Sequence, residues 1–260
     1  MTRGIWTRET VVLMLLASYL PLTLFWLWFG GVEALLRLGF VALVLAFWNL
    51  VFLLARAQPI SLAFLITALA VAMLAPEGLG VLRLALAISF GAVMGELVFG
   101  GWGRNVVNPA VVTLSFLGFG FPGFPWPELA APVTWAAIPA ALIGVATGSM
   151  SLGVVASAAI VAVGAVATGA LPPTVAPVAG IVLVLLVADP VTSATTLFGR
   201  WLNGALYASL VTLFAGGWHG AAPVQVAVAA ALLTSLAAPL LDEMALGIWY
   251  EQRRRRHGRN

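Results

Sequence analysis

Two short runs carry most of the polar chemistry of this chain: FGGWGRNVVNPA at 99–110 and ADPVTSATTLFGRW at 188–201. In the first, Gly100, Gly101 and Gly103 admit positive φ and are expected to leave backbone N–H groups uncovered. Arg104 adds a charge, Asn105 and Asn108 add amide donors, and Pro109 suits the first turn of a helix capped by Asn108. Donors gathered at a helix start form a cradle for an anion or for the polar edge of a ring system. In the second run Asp189 precedes Pro190, Thr192, Ser193, Thr195 and Thr196 put four hydroxyls in five residues, and Arg200 follows. Each run has a plainer reading as a sharp capped turn, with Asp189 paired to Arg200 in the second. Two such turns on one predicted face of a chain so poor in polar residues point instead to a shared site.

The elements that must position them are set by composition. The 260 residues are 62% hydrophobic and 8% charged, with a mean hydropathy of +1.09; a soluble domain has roughly 45–50% apolar and about 25% charged residues. Apolar stretches of about 17–25 residues recur along the whole length, so the expected fold is an all-α polytopic membrane protein with about ten transmembrane helices. Cysteine is absent, which excludes disulfides, thiolate-held iron–sulfur clusters and a thiol nucleophile in this chain. His219 and His257 fall in a turn and in the tail, which argues against a haem held by two histidines. All 12 basic residues are arginines, and the densest run, RRRRHGR, directly follows a hydrophobic segment. That placement reads as a topology signal and not as a nucleic-acid patch. No cleavable signal peptide is expected, because the first apolar segment runs through Leu22, Phe25 and Trp28 without a small-residue cleavage site.

Apolar runs and Gly/Pro punctuation predict helices at 10–29, 34–55, 60–75, 79–98, 106–121, 133–147, 152–170, 174–188, 201–216 and 223–246. Arg3, Trp6 and Arg8 flank the first, and Arg56, Arg104, Arg200 and the final arginine run follow the second, fourth, eighth and tenth. The positive-inside rule then puts both termini and the two polar signatures in the cytoplasm. The expected location is a bacterial-type inner membrane, crossed many times. Arg37 and Arg83 fall near outer helix ends and are expected to pair with Glu33 and Glu77 or to snorkel. The loop FPGFPWPELAAP at 121–132 reads as an interfacial belt in preference to a lid. The small residues of 144–170 predict helices packed backbone to backbone. A single transmembrane domain, 1–260, is expected, with pseudo-repeats at about 1–125 and 126–250 and a basic cytoplasmic tail at 251–260. Five helices per half would make the halves inverted, an arrangement in which broken helices meet at a functional site.

At this point GELVFGGWGRNVVNPA and ADPVTSATTLFGRWLNGAL resemble the two signatures of one membrane family. That family comprises the B subunit of the sodium-translocating NADH:quinone oxidoreductase (Nqr) and the D subunit of the Rnf ferredoxin:NAD oxidoreductase. The closing stretch AAALLTSLAAPLLDEM with its basic run is similar to the family's last helix. The resemblance implies a fold like that of urea transporters, two inverted five-helix repeats. It also implies a subunit that binds flavin (FMN or riboflavin), relays electrons and works beside partner subunits carrying iron–sulfur clusters or flavin. In Nqr-type members it implicates the glycines corresponding to Gly100 and Gly101 in a quinone site. Family members carry FMN esterified to a threonine after the NPA helix. Here Thr134 in PVTWAAIP matches the first hydroxyl position, but Ala137 stands where the acceptor belongs. Asp189, Thr192, Ser193, Ala194 and Thr195 spell a flavin-transferase acceptor pattern, which makes Thr195 the other candidate. Its place in the family's own second signature, on the predicted cytoplasmic side, counts against it. The expectation is therefore noncovalent flavin, with quinone as a further ligand, near Gly100, Gly101, Gly103, Arg104, Asn105, Asn108, Asp189, Thr192, Ser193, Thr195 and Arg200. Two alternatives stand beside the redox subunit: a urea-channel-like solute transporter, and a structural anchor of a redox complex without cofactor.

Overall fold

The computed structural model describes residues 7–57 and 61–257; Arg3, Trp6 and the residues after His257 lie outside them. Among the described residues all regular structure is helical. The helices are α1 (Arg8–Arg56), α2 (Ala63–Leu74), α3 (Val81–Gly95), α4 (Pro109–Gly120), α5 (Ala131–Trp135), α6 (Ala137–Ala146), α7 (Leu152–Ala167), α8 (Val175–Val182), α9 (Leu197–Gly217) and α10 (Pro223–His257). A 3-10 turn, Leu97–Phe99, extends α3, and a π turn, Leu183–Val187, extends α8. The chain is an all-α polytopic membrane protein.

α1 runs through the two segments predicted at 10–29 and 34–55, and Gly31, at φ 59° and ψ −144°, breaks it between them. Only glycine takes that conformation without strain, so the chain redirects there without a loop. Before the break Val12, Leu15, Tyr19 and Leu22 are buried; after it only Ala34, Val41 and Leu45 are. The second half turns Leu36, Leu43 and Leu54 outward, an apolar surface that a hydrocarbon solvent tolerates and water does not.

Inside this shell sit helices that are apolar on every side. α2 buries Ile66 through Leu74 without interruption, and the α8 unit buries Ile181 through Val187, as a helix without a polar face must. α4, with 12 residues, is about 18 Å long, and α8 with its π turn, at 13 residues, about 20 Å; both fall short of a hydrocarbon core of about 30 Å. Three helices, Arg8–Arg56, Val81–Phe99 and Pro223–Glu251, are long and apolar enough to cross a membrane.

Several expectations change in detail. α9 begins at Leu197, four residues before the predicted start, because Thr196 caps it by accepting the Gly199 N–H at 3.1 Å. α10 continues past Leu246 to His257, through the arginine run. Arg37 does not take Glu33 as its hydrogen-bond partner; its guanidinium donates to the Ala75 and Pro76 carbonyls at the end of α2. Those last carbonyls have no intrahelical partner and attract a cation. Arg83 lies over Phe121 and Phe124, 5.0 Å from the latter ring. The 121–132 loop is pinned: Pro125 accepts the Glu77 N–H at 2.8 Å and Trp126 is buried.

Candidate functional site

The first signature folds as a left-handed knot. Gly100, Gly101 and Gly103 have φ of 105°, 89° and 94°, values that side chains resist. The expectation that their N–H groups stay uncovered is overturned. Gly100 donates to the Leu97 carbonyl, Gly101 to Glu96, Arg104 to Gly101, and Gly103 to the Asn105 carboxamide at 3.1 Å. A turn this tight brings its own acceptors within reach, so the backbone donors are consumed locally. Asn105 is buried, whereas the Arg104 side chain is exposed and folds back beside Gly100.

Asn108 does two jobs. Its carboxamide oxygen accepts the Ala110 N–H at 2.9 Å, the predicted cap on α4 with Pro109 in the first turn. Its Nδ2 donates to Asp189 Oδ2 at 3.0 Å, across 81 positions of sequence. The Asp189 carboxylate also accepts the Val191 N–H at 3.0 Å and the Thr192 hydroxyl at 3.3 Å. Asp189 therefore takes Asn108, not Arg200, as its partner. The reason is topological. The N-terminus of α4 and the C-terminal end of the α8 unit meet, and the positive end of the α4 dipole faces a buried carboxylate. Asn108, Asp189, Thr192 and Ser193 are all buried here.

Thr195 and Arg200 leave this cluster. Thr195 donates its N–H (2.8 Å) and hydroxyl (2.9 Å) to Asp242 Oδ2 of α10, and Thr196 donates both groups to Asp242 Oδ1, at 2.9 and 2.6 Å. Arg200 is exposed, its Cβ 3.2 Å from where a Gly153 Cβ on α7 would stand. Asp242 is thus a clasp between α10 and the second signature. Because it is part-exposed, water replaces some of what it offers; Asp242→Ala is expected to cost about 1–2 kcal/mol and to raise amide hydrogen exchange over 189–200 first.

Asp242 and Glu96 escape a reading that looks only at the two runs. Glu96 is buried beneath the glycine knot, facing Arg8 of α1 and the Trp102 N–H, and Arg8 lies 6.0 Å from the Trp102 ring. The signal for both is an acid within an apolar span, Val81–Phe99 for one and Pro223–Glu251 for the other.

Thr134 is elsewhere. It is buried in α5, donates to the Ala131 carbonyl at 2.8 Å, and lines a cleft of about 650 Å³ among α5, α6, α7, the α8 unit and α9. The walls include Ala141, Ala159, Leu183 and Val211, and the Tyr207 hydroxyl there already donates to the Ala179 carbonyl at 2.9 Å. The cleft therefore offers hydrocarbon and two hydroxyl oxygens. Its volume lies in the range of about 300–1,000 Å³ that small-molecule and cofactor sites occupy. One end, at Leu152, adjoins Gly153 and hence Arg200 and Trp201. The cleft has space and apolar walls for a flat ring, but its two hydroxyls already donate to backbone carbonyls, so the polar edge of a flavin finds no side-chain O–H donor there.

The family model described as NQR2, RnfD, RnfE matches residues 2–156, more than half of the chain. Among curated relatives the chain is similar to the B subunit of the Na(+)-translocating NADH-quinone reductase of Yersinia pestis, 42% identical over 79 residues, 30% of this chain and 19% of the relative. The same-named protein of Neisseria meningitidis serogroup A is 37% identical over 91 residues, 35% of this chain and 22% of the relative. That of Chromohalobacter salexigens is 31% identical over 113 residues, 43% and 28%. The aligned stretches thus span between about a fifth and a little over a quarter of those relatives' length. With more than half of its length matched, and the glycine knot and the Asn108 cap inside the matched region, the chain belongs to the NQR2, RnfD, RnfE family.

Proposed function

We propose that this chain is a membrane subunit of an Nqr/Rnf-type redox complex, binding flavin noncovalently and relaying electrons within the membrane. The observation that carries the reading is the Asn108–Asp189 hydrogen bond, which joins the two polar signatures where two short helices end. A bound flavin supplies one- and two-electron transfer that no side chain of this cysteine-free chain provides. The groups proposed to lie around it are those of the knot and the second signature: Gly100, Gly101, Gly103, Arg104, Asn105, Asn108, Asp189, Thr192, Ser193, Thr195 and Arg200; the knot's N–H groups and the donors of Thr195 are spent on internal acceptors, so contact there falls to exposed side chains. Of these, Arg104 and Arg200 are exposed guanidiniums suited to a phosphate, while Asn108 and Asp189 hold the segments in place. The apolar cleft excludes water from any ring lodged in it.

Quinone is the second ligand of this reading, in keeping with the name its relatives carry, and coupling to ion movement belongs to it as well. Partner subunits with iron–sulfur clusters or flavin complete the electron path. The location proposed is a bacterial-type inner membrane, with ten spans in two inverted halves and both termini cytoplasmic.

The test is absorbance and mass analysis of the purified chain before and after acid precipitation. Flavin is expected in the supernatant, with no FMN mass left on the protein, because Ala137 occupies the acceptor position and the Thr134 hydroxyl is buried. Flavin retained on the protein would move attachment to Thr134 or Thr195. The internally satisfied N–H groups of the knot favour one second reading, a structural anchor without cofactor. A colourless chain that still assembles with redox partners would establish it, and solute flux in liposomes would instead indicate a urea-channel-like transporter.

A further inference from the structure

α10 outlasts its own packing. Ala238, Leu241 and Ala245 are buried against the bundle, but Leu246, Ile248, Trp249 and Tyr250 are 40%, 45%, 49% and 60% exposed, and the helix still runs to His257. From Pro223 to Tyr250, its last apolar residue before the arginine run, α10 is about 42 Å long at 1.5 Å per residue, within the roughly 40–45 Å of a bilayer including both headgroup layers. Trp249 and Tyr250 then stand in the headgroup layer, as belt aromatics do. Their rings meet edge to face at 5.2 Å, and the Arg253 guanidinium lies 5.1 Å from the Trp249 ring centre.

The four arginine positions 253–256 begin three residues after Tyr250. Successive helix positions differ by about 100°, so four in a row go once round the helix. A protein partner meets one face of such a run; a layer of headgroups meets all of them. Between 246 and 260 the chain carries five arginines against one acid, Glu251.

We propose that this end of α10 is a collar that binds anionic phospholipid headgroups in the leaflet where the helix emerges, each engaged arginine favouring them by about fivefold over zwitterionic ones. Trp249 and Tyr250 set the depth of the collar.

The experiment reconstitutes the full chain in vesicles of phosphatidylcholine with phosphatidylglycerol, one or the other brominated near the headgroup end. The readout is the fluorescence lost by the wild type beyond that lost by Trp249→Phe. Brominated phosphatidylglycerol is expected to quench Trp249 several-fold more than brominated phosphatidylcholine at equal mole fraction. That preference is expected to vanish when Arg253, Arg254, Arg255 and Arg256 are all changed to Gln, and to survive when all are changed to Lys. Equal quenching by the two lipids overturns the proposal, as does a preference that persists in the Gln variant. A preference erased by millimolar inorganic phosphate at constant ionic strength points to a free-phosphate site and overturns it too. So does a Gln variant whose only defect is loss of a co-purifying protein, which assigns the run to a protein partner. The substituted positions begin eight residues after Ala245, the last buried residue among those described in α10, and an unchanged melting midpoint confirms that the Gln variant is folded.

Discussion

Replacing Gly204 by alanine is expected to unseat α7 from α9. A Cβ there would overlap the Val154 carbonyl oxygen and Ser157 Oγ. The first of these is backbone, which cannot rotate away, so relief requires the helices to part along their whole contact. The expected loss is about 3 kcal/mol or more, at the upper end of overpacking costs, read as a drop in the melting midpoint in detergent. Gly144→Ala is the contrast. Its Cβ would meet the Met150 side chain, Sδ and Cγ alike; that chain is unbranched and flexible but buried, so it must repack, at an expected cost of about 1–2 kcal/mol. Equal midpoints for the two variants would mean that α7 and α9 do not approach as described.

The second large effect is at Asp189. Alanine there strands the Asn108 amide, the Val191 N–H and the Thr192 hydroxyl in a buried place, and each unsatisfied group costs about 1–3 kcal/mol. The total expected is about 3 kcal/mol or more, with loss of whatever ligand the two signatures hold. Asp189→Asn keeps the shape but turns one NH₂ group towards donors, and is expected to cost about half as much. The informative variant exchanges the pair, Asn108→Asp with Asp189→Asn. The carboxylate this places at position 108 still caps α4 and now accepts from the amide opposite. Recovery of most of the Asp189→Asn loss in the exchange is expected. Two losses that simply add would show that the residues do not share the bond.

Much of this frame was legible because it depends on local chemistry. Asn108 followed by Pro109 announces a helix start wherever it folds, and the structure caps α4 as expected. The recurrence of long apolar stretches dictated a helical bundle, since no other arrangement satisfies so many backbone groups in hydrocarbon. The glycine knot was legible as a turn, but not its hydrogen bonding. Whether Gly101 offers its N–H to a ligand or to the Glu96 carbonyl depends on how tightly the turn closes. Nor does Glu33, four residues from Arg37, reveal that the α2 C-terminus lies within reach of that guanidinium.

What the sequence by itself determined, then, is that this chain is a helical membrane protein of the NQR2, RnfD, RnfE family with its polar chemistry gathered in two runs. Composition and short motifs act over a few residues, and both properties are of that range. Only the tertiary structure decided that Asp189 belongs to Asn108, that Asp242 clasps Thr195 and Thr196, and that a cleft opens among α5 to α9. Each of those rests on which helix ends meet, and that is settled by close packing of helices far apart in the chain, a property no single segment carries.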